Sequence, residues 1–126
     1  MPIDISINHK DHLVHATCSG EITLDEVEEY QQKIWGNGEV KGYKELFDAS
    51  HCDVSGFSIA DAMIVAERDN DYDFGTGYTK KAIVISSEEH NQRAIIYTAT
   101  RGLDSNNPRT IKTFYSESMA MAWIKK

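Results

Sequence analysis

The sequence has few of the residues that mark a disulfide-stapled, secreted or membrane-embedded protein. Its two cysteines, Cys18 and Cys52, lie far apart and neither belongs to a CxxC pair, so no disulfide framework is indicated. No secretory signal precedes them, and no apolar run approaches the roughly 20 residues that a membrane-spanning helix needs. We therefore predict a cytoplasmic protein without a membrane span.

The sequence also has few positively charged residues relative to negatively charged ones. The 13 Lys and Arg residues are outnumbered by 20 Asp and Glu residues, which gives a net charge of -7. Such a surface repels phosphate backbones and anionic membranes, and no basic stripe offsets it, so nucleic acid is not an expected partner. The 126 residues contain no linker, repeat or low-complexity tract, which predicts one domain over 1–126 with its own hydrophobic core.

Five segments have the apolar patterns of β-strands. The first alternates Ile3, Ile5 and Ile7 with polar residues, and a short polar turn then predicts an antiparallel hairpin with the second. The fourth is a continuous apolar run, which is typical of a strand buried on both faces of a parallel sheet. The predicted strands are 3–7, 13–18, 44–48, 82–85 and 110–115.

Helix start signals follow each of the last four predicted strands. Thr23 and Glu26 form a capping box, and serines begin the later helices at Ser58, Ser86 and Ser116. Alternating strands and helices require crossover connections, and these produce a mostly parallel sheet. The predicted fold class is α/β, with a single mixed, mostly parallel five-stranded sheet, an N-terminal antiparallel hairpin and about four helices.

Three short segments, together with the order of strands and helices, resemble a known family. The segments are GEIT at 20–23, LFDAS at 46–50 and AMAWI at 120–124. They look like the STAS-like (SpoIIAA-like) family of small stand-alone bacterial proteins, which is related in fold to the anti-sigma-factor antagonists and to CRAL-TRIO lipid-binding domains. The resemblance covers nearly the whole chain, and it implies a regulatory or binding module.

The resemblance does not extend to the phosphorylation switch of the anti-sigma antagonists. Their phosphorylated serine lies in a segment similar to Asp-Ser-Ser-Gly-Leu, and the matching stretch here is 53–57. Val54 stands at the position of that serine and has no hydroxyl, although Ser55 or Ser50 could substitute for it. The resemblance therefore supports the fold more than the switch.

Hydroxyl-bearing residues gather where the predicted parallel strands end. Ligands of such sheets bind at the carboxyl ends of the strands, and the helix N-termini there suit a small anion or a partner's carboxylate. We therefore predict a non-enzymatic regulatory module that binds another protein or a small ligand at this edge. The candidate residues are Asp48, Ser50, Ser55, Gly56, Ser58, Ser86 and Ser87.

A carrier of a small apolar or lipid-like ligand is the alternative function. Methionine side chains adapt to varied apolar surfaces, and the helix faces with Met63, Met119 and Met121 would line the cavity of such a carrier. The apolar edge strands and amphipathic helices are also compatible with a homodimer.

Two loop patterns resemble ligand sites but lack the context that those sites require. The acidic run 69–73 begins like a calcium loop, yet Phe74 and Lys80 stand where the loop needs glycine and an acid, so a solvated acidic loop is predicted. The glycines at 75 and 77 lead into a strand, whereas phosphate loops lead into a helix. No metal or cofactor site is predicted.

Asp48, His51, Cys52 and Asp53 combine the residue types of nucleophilic catalysis. Neighbours on one loop rarely face each other, and the nearby acids would raise the pKa of the thiol. No catalytic residues are therefore predicted.

Aromatic residues fall into two groups. Trp35 and Trp123 lie on apolar helical faces, which favours packing in the core. The aromatic residues of the glycine-containing loop could pack on the helices or contact a partner; they are Tyr72, Phe74 and Tyr78.

Overall fold

One five-stranded sheet forms the centre of the molecule in the computed structural model, which describes residues 2–126. The strands are β1 Ile3–Asn8, β2 Leu13–Glu21, β3 Lys44–Asp53, β4 Thr79–Val84 and β5 Arg109–Phe114. β1 pairs antiparallel with β2, and β2 to β5 pair parallel in the order of the chain. The predicted mixed sheet and its N-terminal hairpin are confirmed.

The helices begin at side-chain caps that the sequence largely predicts. They are α1 Leu24–Tyr30, which continues as a π-helical turn over Gln31–Trp35, then α2 Ile59–Tyr72, α3 Glu88–Arg101 and α4 Glu117–Ile124. The capping box of Thr23 is present, and Ser58 forms a second box with Asp61. α3 starts one residue later than predicted, because Ser87 and not Ser86 accepts the cap hydrogen bond from the His90 amide.

The two faces of the sheet are covered unequally. α1, α2 and α3 cover one face, called here the three-helix face, and bury the larger core against it. α4 covers the other face, where Ala120 and Ile124 pack on Leu46 and Val84. Side chains that alternate along a strand therefore enter different cores.

The two tryptophans differ in burial. Trp35 is buried in the core of the three-helix face, as predicted. Trp123 is half-buried and packs against Phe114 at the edge of the α4 core, with ring centroids 5.7 Å apart. The core prediction is therefore fulfilled only in part for Trp123.

β3 runs to Asp53, five residues past its predicted end at Asp48. The register with β2 shifts after Thr17, and Gly20 then lies opposite Cys52. An irregularity of this kind breaks the simple alternation of side chains, so the sequence pattern ends before the strand does. As a result Cys18 and Cys52 both enter the core of the three-helix face.

The acidic run 69–73 is not the solvated loop that the sequence predicts. α2 extends through it to Tyr72, and Asp69 and Asp73 are only 7% and 5% exposed. Both carboxylates pair with buried cations. The prediction was wrong because those cations are contributed by β4, α3 and β5, far along the chain.

Several apolar side chains remain on the surface. Phe74 and Tyr78 are exposed, while Tyr72 packs partly on the core. α2 and α3 also expose Ile59, Met63, Ile64 and Ile95. The homodimer stays a prediction. Within residues 2–126, no helix has the length and apolar character that a membrane crossing requires.

Candidate functional site

A cavity of about 110 Å³ lies between the sheet and the helices of the three-helix face. Its walls are mostly apolar and include Val27, Phe47, Ala62, Val65, Ile83 and Ala94. The space is partly open to the surface, so a small molecule could enter it from solvent. An apolar cavity of roughly 150 Å³ binds benzene, which sets the scale of molecule that a space like this one accepts.

One polar residue, Gln31, stands in the wall of the cavity where α1 passes into the π-helical turn. Its Nε2 donates to the Val65 carbonyl at 2.9 Å and to the Asp69 carboxylate at 2.8 Å. Its Oε1 is buried and has no hydrogen-bond partner within the part of the chain that the structure describes. π-helical turns are rare and are frequently found at functional sites.

A buried network of charges lies next to Gln31. Lys81 Nζ is 3.0 Å from Glu45 and 3.4 Å from Asp69, and the Tyr97 hydroxyl donates to Asp69. Burial alone would raise the pKa of Asp69, but the positive charges of Lys81 and Arg101 hold it below its usual range. Asp69 and Lys81 therefore line the cavity as charges that already satisfy each other.

Asp73, Arg101 and Arg109 form a second group of buried ion pairs next to this network. Asp73 accepts hydrogen bonds from Arg101 and Arg109, and the Arg109 guanidinium lies 4.8 Å from the centre of the Trp35 ring. These contacts join α2, α3 and β5 to the π-helical turn. They explain why Arg101 and Arg109 are buried.

Two free thiols lie at another wall of the cavity, on adjacent strands. The side chains of Cys18 and Cys52 interact, and this interaction raises the pKa of Cys18 and lowers that of Cys52. The Cys52 thiol lies 3.1 Å from the Ala49 carbonyl. Asp48 and Asp53 raise the pKa of Cys52 as the sequence predicts, but the interaction with the Cys18 side chain outweighs them.

A wider, polar cleft of about 340 Å³ opens at the carboxyl edge of the sheet, next to the cavity. The cleft and the cavity share three lining residues, Cys52, Val54 and His90. His90 fixes this junction, because its Nδ1 accepts from the Ser86 amide at 3.1 Å and its Nε2 donates to the Cys52 carbonyl at 2.8 Å. Arg93 closes the adjoining side, where its Nε donates to the Phe57 carbonyl.

The structure brings three of the predicted site residues together in this cleft. They are Ser50, Ser86 and Ser87. The Ser86 hydroxyl donates to the Ser50 carbonyl at 2.6 Å, so these serines tie β3 to the segment after β4. Ser55, Gly56 and Ser58 lie nearby on the loop before α2 but do not line the cleft.

The negative charges that line the cleft disfavour the small anion that was predicted from the sequence to bind there. The carboxylates of Asp53 and Glu89 line it. The hydroxyls of Ser58 and Ser87 already cap the two helix N-termini. A cationic or donor-rich group fits these surroundings better than an anion.

Asp48, the remaining predicted residue, turns to the α4 side of the sheet. Its carboxylate accepts from both the amide and the hydroxyl of Ser50, at 2.9 and 2.5 Å, and Glu117 of α4 lies beside it. Burial would raise the pKa of Asp48, but the bonds from Ser50 hold it below its usual range; the pKa of Glu117 is raised, first of all by its hydrogen bond to Asp48. Asp48 therefore does not line the cleft and is linked to it only through Ser50.

The acid, base and thiol side chains of residues 48–53 are not hydrogen-bonded to one another. The Cys52 thiol contacts a backbone carbonyl, His51 is exposed, and Asp48 lies with Glu117. Residues 2–126 contain no cluster of three or more His, Cys, Asp or Glu side chains arranged for a metal ion.

The methionines expected to line a ligand cavity do not do so. Met63 and Met119 are 42% and 65% exposed, and Met121 packs in the α4 core. That prediction was wrong because the cavity lies on the other face of the sheet and on the inner faces of α1 to α3.

Gln31, the most informative residue of the site, was not among the residues predicted from the sequence. A signal for it exists, because Gln31 continues the helical stripe of Leu24 and Val27 towards Ile34 at spacings of three and four residues. A polar residue inside an apolar stripe indicates a buried polar group.

Comparison with known proteins identifies the type of fold. No family model and no curated protein matches the chain. A solved structure does match: an uncharacterised protein of the DUF3478 family with a SpoIIAA-like fold, from Shewanella loihica. The TM-score is 0.56 and the identity is 18%, over 97% of this chain and 91% of that one. The chain therefore has a SpoIIAA-like fold, as its sequence motifs and element order predicted.

Proposed function

We propose that this chain is a non-enzymatic binding module of STAS-like type that takes up a small, mostly apolar molecule beneath the carboxyl edge of its sheet. The observation that carries the proposal is an apolar cavity that lies directly beside the polar cleft, with Cys52, Val54 and His90 lining both. The cleft would admit the molecule and the cavity would hold it. The two free cysteines fit a reducing compartment such as the cytoplasm.

Binding is a better account of this site than catalysis. Asp69 and Lys81 engage each other, and the Cys52 thiol faces a carbonyl and another thiol. A thiol nucleophile needs a base within hydrogen-bond reach, whereas the hydrogen-bond partner of the Cys52 thiol is the Ala49 carbonyl.

Ligand uptake at this position would also alter the edge where a partner protein could bind. Cys52 and His90 contact both spaces, and His90 holds the backbone of Ser86. A ligand that displaced the Cys52 side chain would shift these hydrogen bonds. This coupling would give the module its regulatory output, and Asp53 and Glu89 favour a partner with basic residues.

Methyl NMR titration with toluene tests the proposal, because the two cores provide an internal comparison. Toluene should shift the methyl signals of Ala62, Val65 and Ala94, which line the cavity. It should leave Ala82, Val84 and Ala120 of the α4 core unchanged. Shifts in the α4 core only, or no saturable shift at all, would refute the proposal.

A direct protein partner at the cleft is a second candidate, favoured by the two carboxylates that line it. Asp53→Asn and Glu89→Gln should then weaken binding of a basic partner, whereas Asp71→Asn, at an exposed position on α2, should not. Equal affinities for all three variants would exclude this candidate.

A further inference from the structure

We propose that the cavity selects a small neutral molecule, about the size of one aromatic ring, whose hydroxyl or N–H donates to Gln31 Oε1. The inference rests on the proposed function and adds the chemical class of the ligand. Its starting point is one buried acceptor without a partner, on a residue that lines the cavity.

The orientation of the Gln31 amide is fixed by its neighbours. Nε2 donates to the Val65 carbonyl and to Asp69, so a reversed amide would place its oxygen against two other acceptors. Oε1 must therefore face away from them and is left with an unused lone pair. Buried polar atoms are nearly always hydrogen-bonded, and an exception calls for a partner that completes the site.

A bound water is a poorer partner than a ligand hydroxyl. A buried water typically makes about three hydrogen bonds, whereas the hydroxyls near Gln31 are already engaged. Tyr30 donates to Glu45 and accepts from Trp35, and Tyr97 donates to Asp69. A molecule with one donor and an otherwise apolar surface matches one free acceptor in an apolar cavity.

The charges beside the cavity also limit the net charge that a ligand can carry. The nearby charges of Asp69, Lys81 and Glu45 are paired, so a charged ligand would find no free counter-ion there. Moving such a ligand out of water into the cavity would be strongly unfavourable. Neutral molecules with a single donor, such as phenols or small alcohols, remain.

Phenol and toluene provide matched probes, because they are nearly equal in shape and only phenol can donate. Their dissociation constants are measured by titration calorimetry for the wild type and for Gln31→Met, which keeps the length of the side chain and removes the acceptor. The affinity of phenol relative to toluene should fall about tenfold in Gln31→Met, which corresponds to the loss of one hydrogen bond. Gln32→Met, at the exposed neighbouring position, is the control and should leave the ratio unchanged.

Each outcome bears on a different claim. If toluene binds and the phenol-to-toluene ratio is the same in wild type and Gln31→Met, the inference is wrong while the proposed function stands. If neither compound binds the wild type, both are wrong.

A crystal structure of the wild type with phenol covers the case in which Gln31→Met does not fold. The phenol oxygen should lie within about 3.2 Å of Gln31 Oε1. A phenol hydroxyl that points to the cleft or to the thiols would overturn the inference.

Discussion

Gln31 donates to Asp69 across 2.8 Å of the protein interior, and this bond connects the π-helical turn to the charge network of the core. It holds the only side-chain amide in the cavity wall of the described chain in one orientation. The Asp69 carboxylate therefore has two effects. It stabilises the charge network, and it fixes the orientation of the Gln31 amide in the cavity wall.

Removing the charge of Asp69 should strongly destabilise the fold. Asp69→Asn leaves Lys81 and Arg101 with one carboxylate fewer in a buried setting, and breaking such a pair costs about 3 kcal/mol or more. Urea unfolding of Asp69→Asn measures this loss. Asp71→Asn, two residues away and exposed, should stay within about 0.5 kcal/mol of the wild type. Equal stability of the two variants would contradict the network described above.

Filling the cavity should abolish ligand binding without a large loss of stability. Ala94 lines the cavity, and Ala94→Leu places three additional carbons into space that is already there. Toluene should then no longer raise the melting temperature, while the variant without ligand should melt close to the wild type, since cavity-filling changes are often neutral or stabilising. Ala99→Leu, on the exposed side of α3, should retain the toluene effect. A clear loss of stability in Ala94→Leu, typically about 1–3 kcal/mol for an overpacked core, would show that the space is absent.

The two thiols should differ in reactivity and should report on the ligand. Cys18 is fully buried, whereas Cys52 is 8% exposed and lines the cleft, so Cys52 should be alkylated first. Toluene in the cavity should slow this reaction, because Cys52 lines both spaces. Mass spectrometry of peptides after timed iodoacetamide treatment resolves both effects. Preferential labelling of Cys18, or a rate that is indifferent to toluene, would count against the site.

The pH dependence of stability should reveal the bond between Ser50 and Asp48. The folded pKa of Asp48 lies below the ordinary value of 3.8, so its contribution to stability is present above that pH and is lost as the pH falls through the folded pKa. Ser50→Ala removes one of the bonds that lower the pKa and should cost about 1–2 kcal/mol near neutral pH.

The difference in unfolding free energy between wild type and Ser50→Ala should begin to shrink below about pH 3.8 and should continue to fall as the pH passes through the folded pKa of Asp48, because protonation of the carboxylate removes what the bond from Ser50 stabilises. Urea unfolding at pH 7 and pH 3 measures it, with Ser105→Ala at an exposed position as the control. A stability difference that does not change with pH would mean that Ser50 acts through packing instead.

Local patterns were sufficient to predict the sheet and its helices. The alternation around Ile5, the apolar run through Val84 and the caps at Thr23 and Ser58 each depend on residues within a few positions of one another. Strands that alternate with helices need crossover connections, which is why a mostly parallel sheet with an antiparallel hairpin could be predicted.

The site could be predicted only in part, because it depends on contacts between distant segments. Asp73 meets Arg109 across 36 positions, so its run of acids looked solvated in the sequence. Cys18 reaches Cys52 only through the shifted register of β2 and β3, which no periodicity shows. The predicted edge is nevertheless where Ser50, Ser86 and Ser87 meet, above a cavity that the methionines did not indicate.

Xenon binding in a crystal tests the central claim most directly. Xenon enters dry, apolar cavities and is located by its anomalous scattering, without any choice of ligand. The account predicts a xenon atom among Val65, Ile83 and Ala94, and none there in Ala94→Leu. Ordered water that fills this space, or side chains that close it, would contradict the claim that the cavity receives a small apolar ligand.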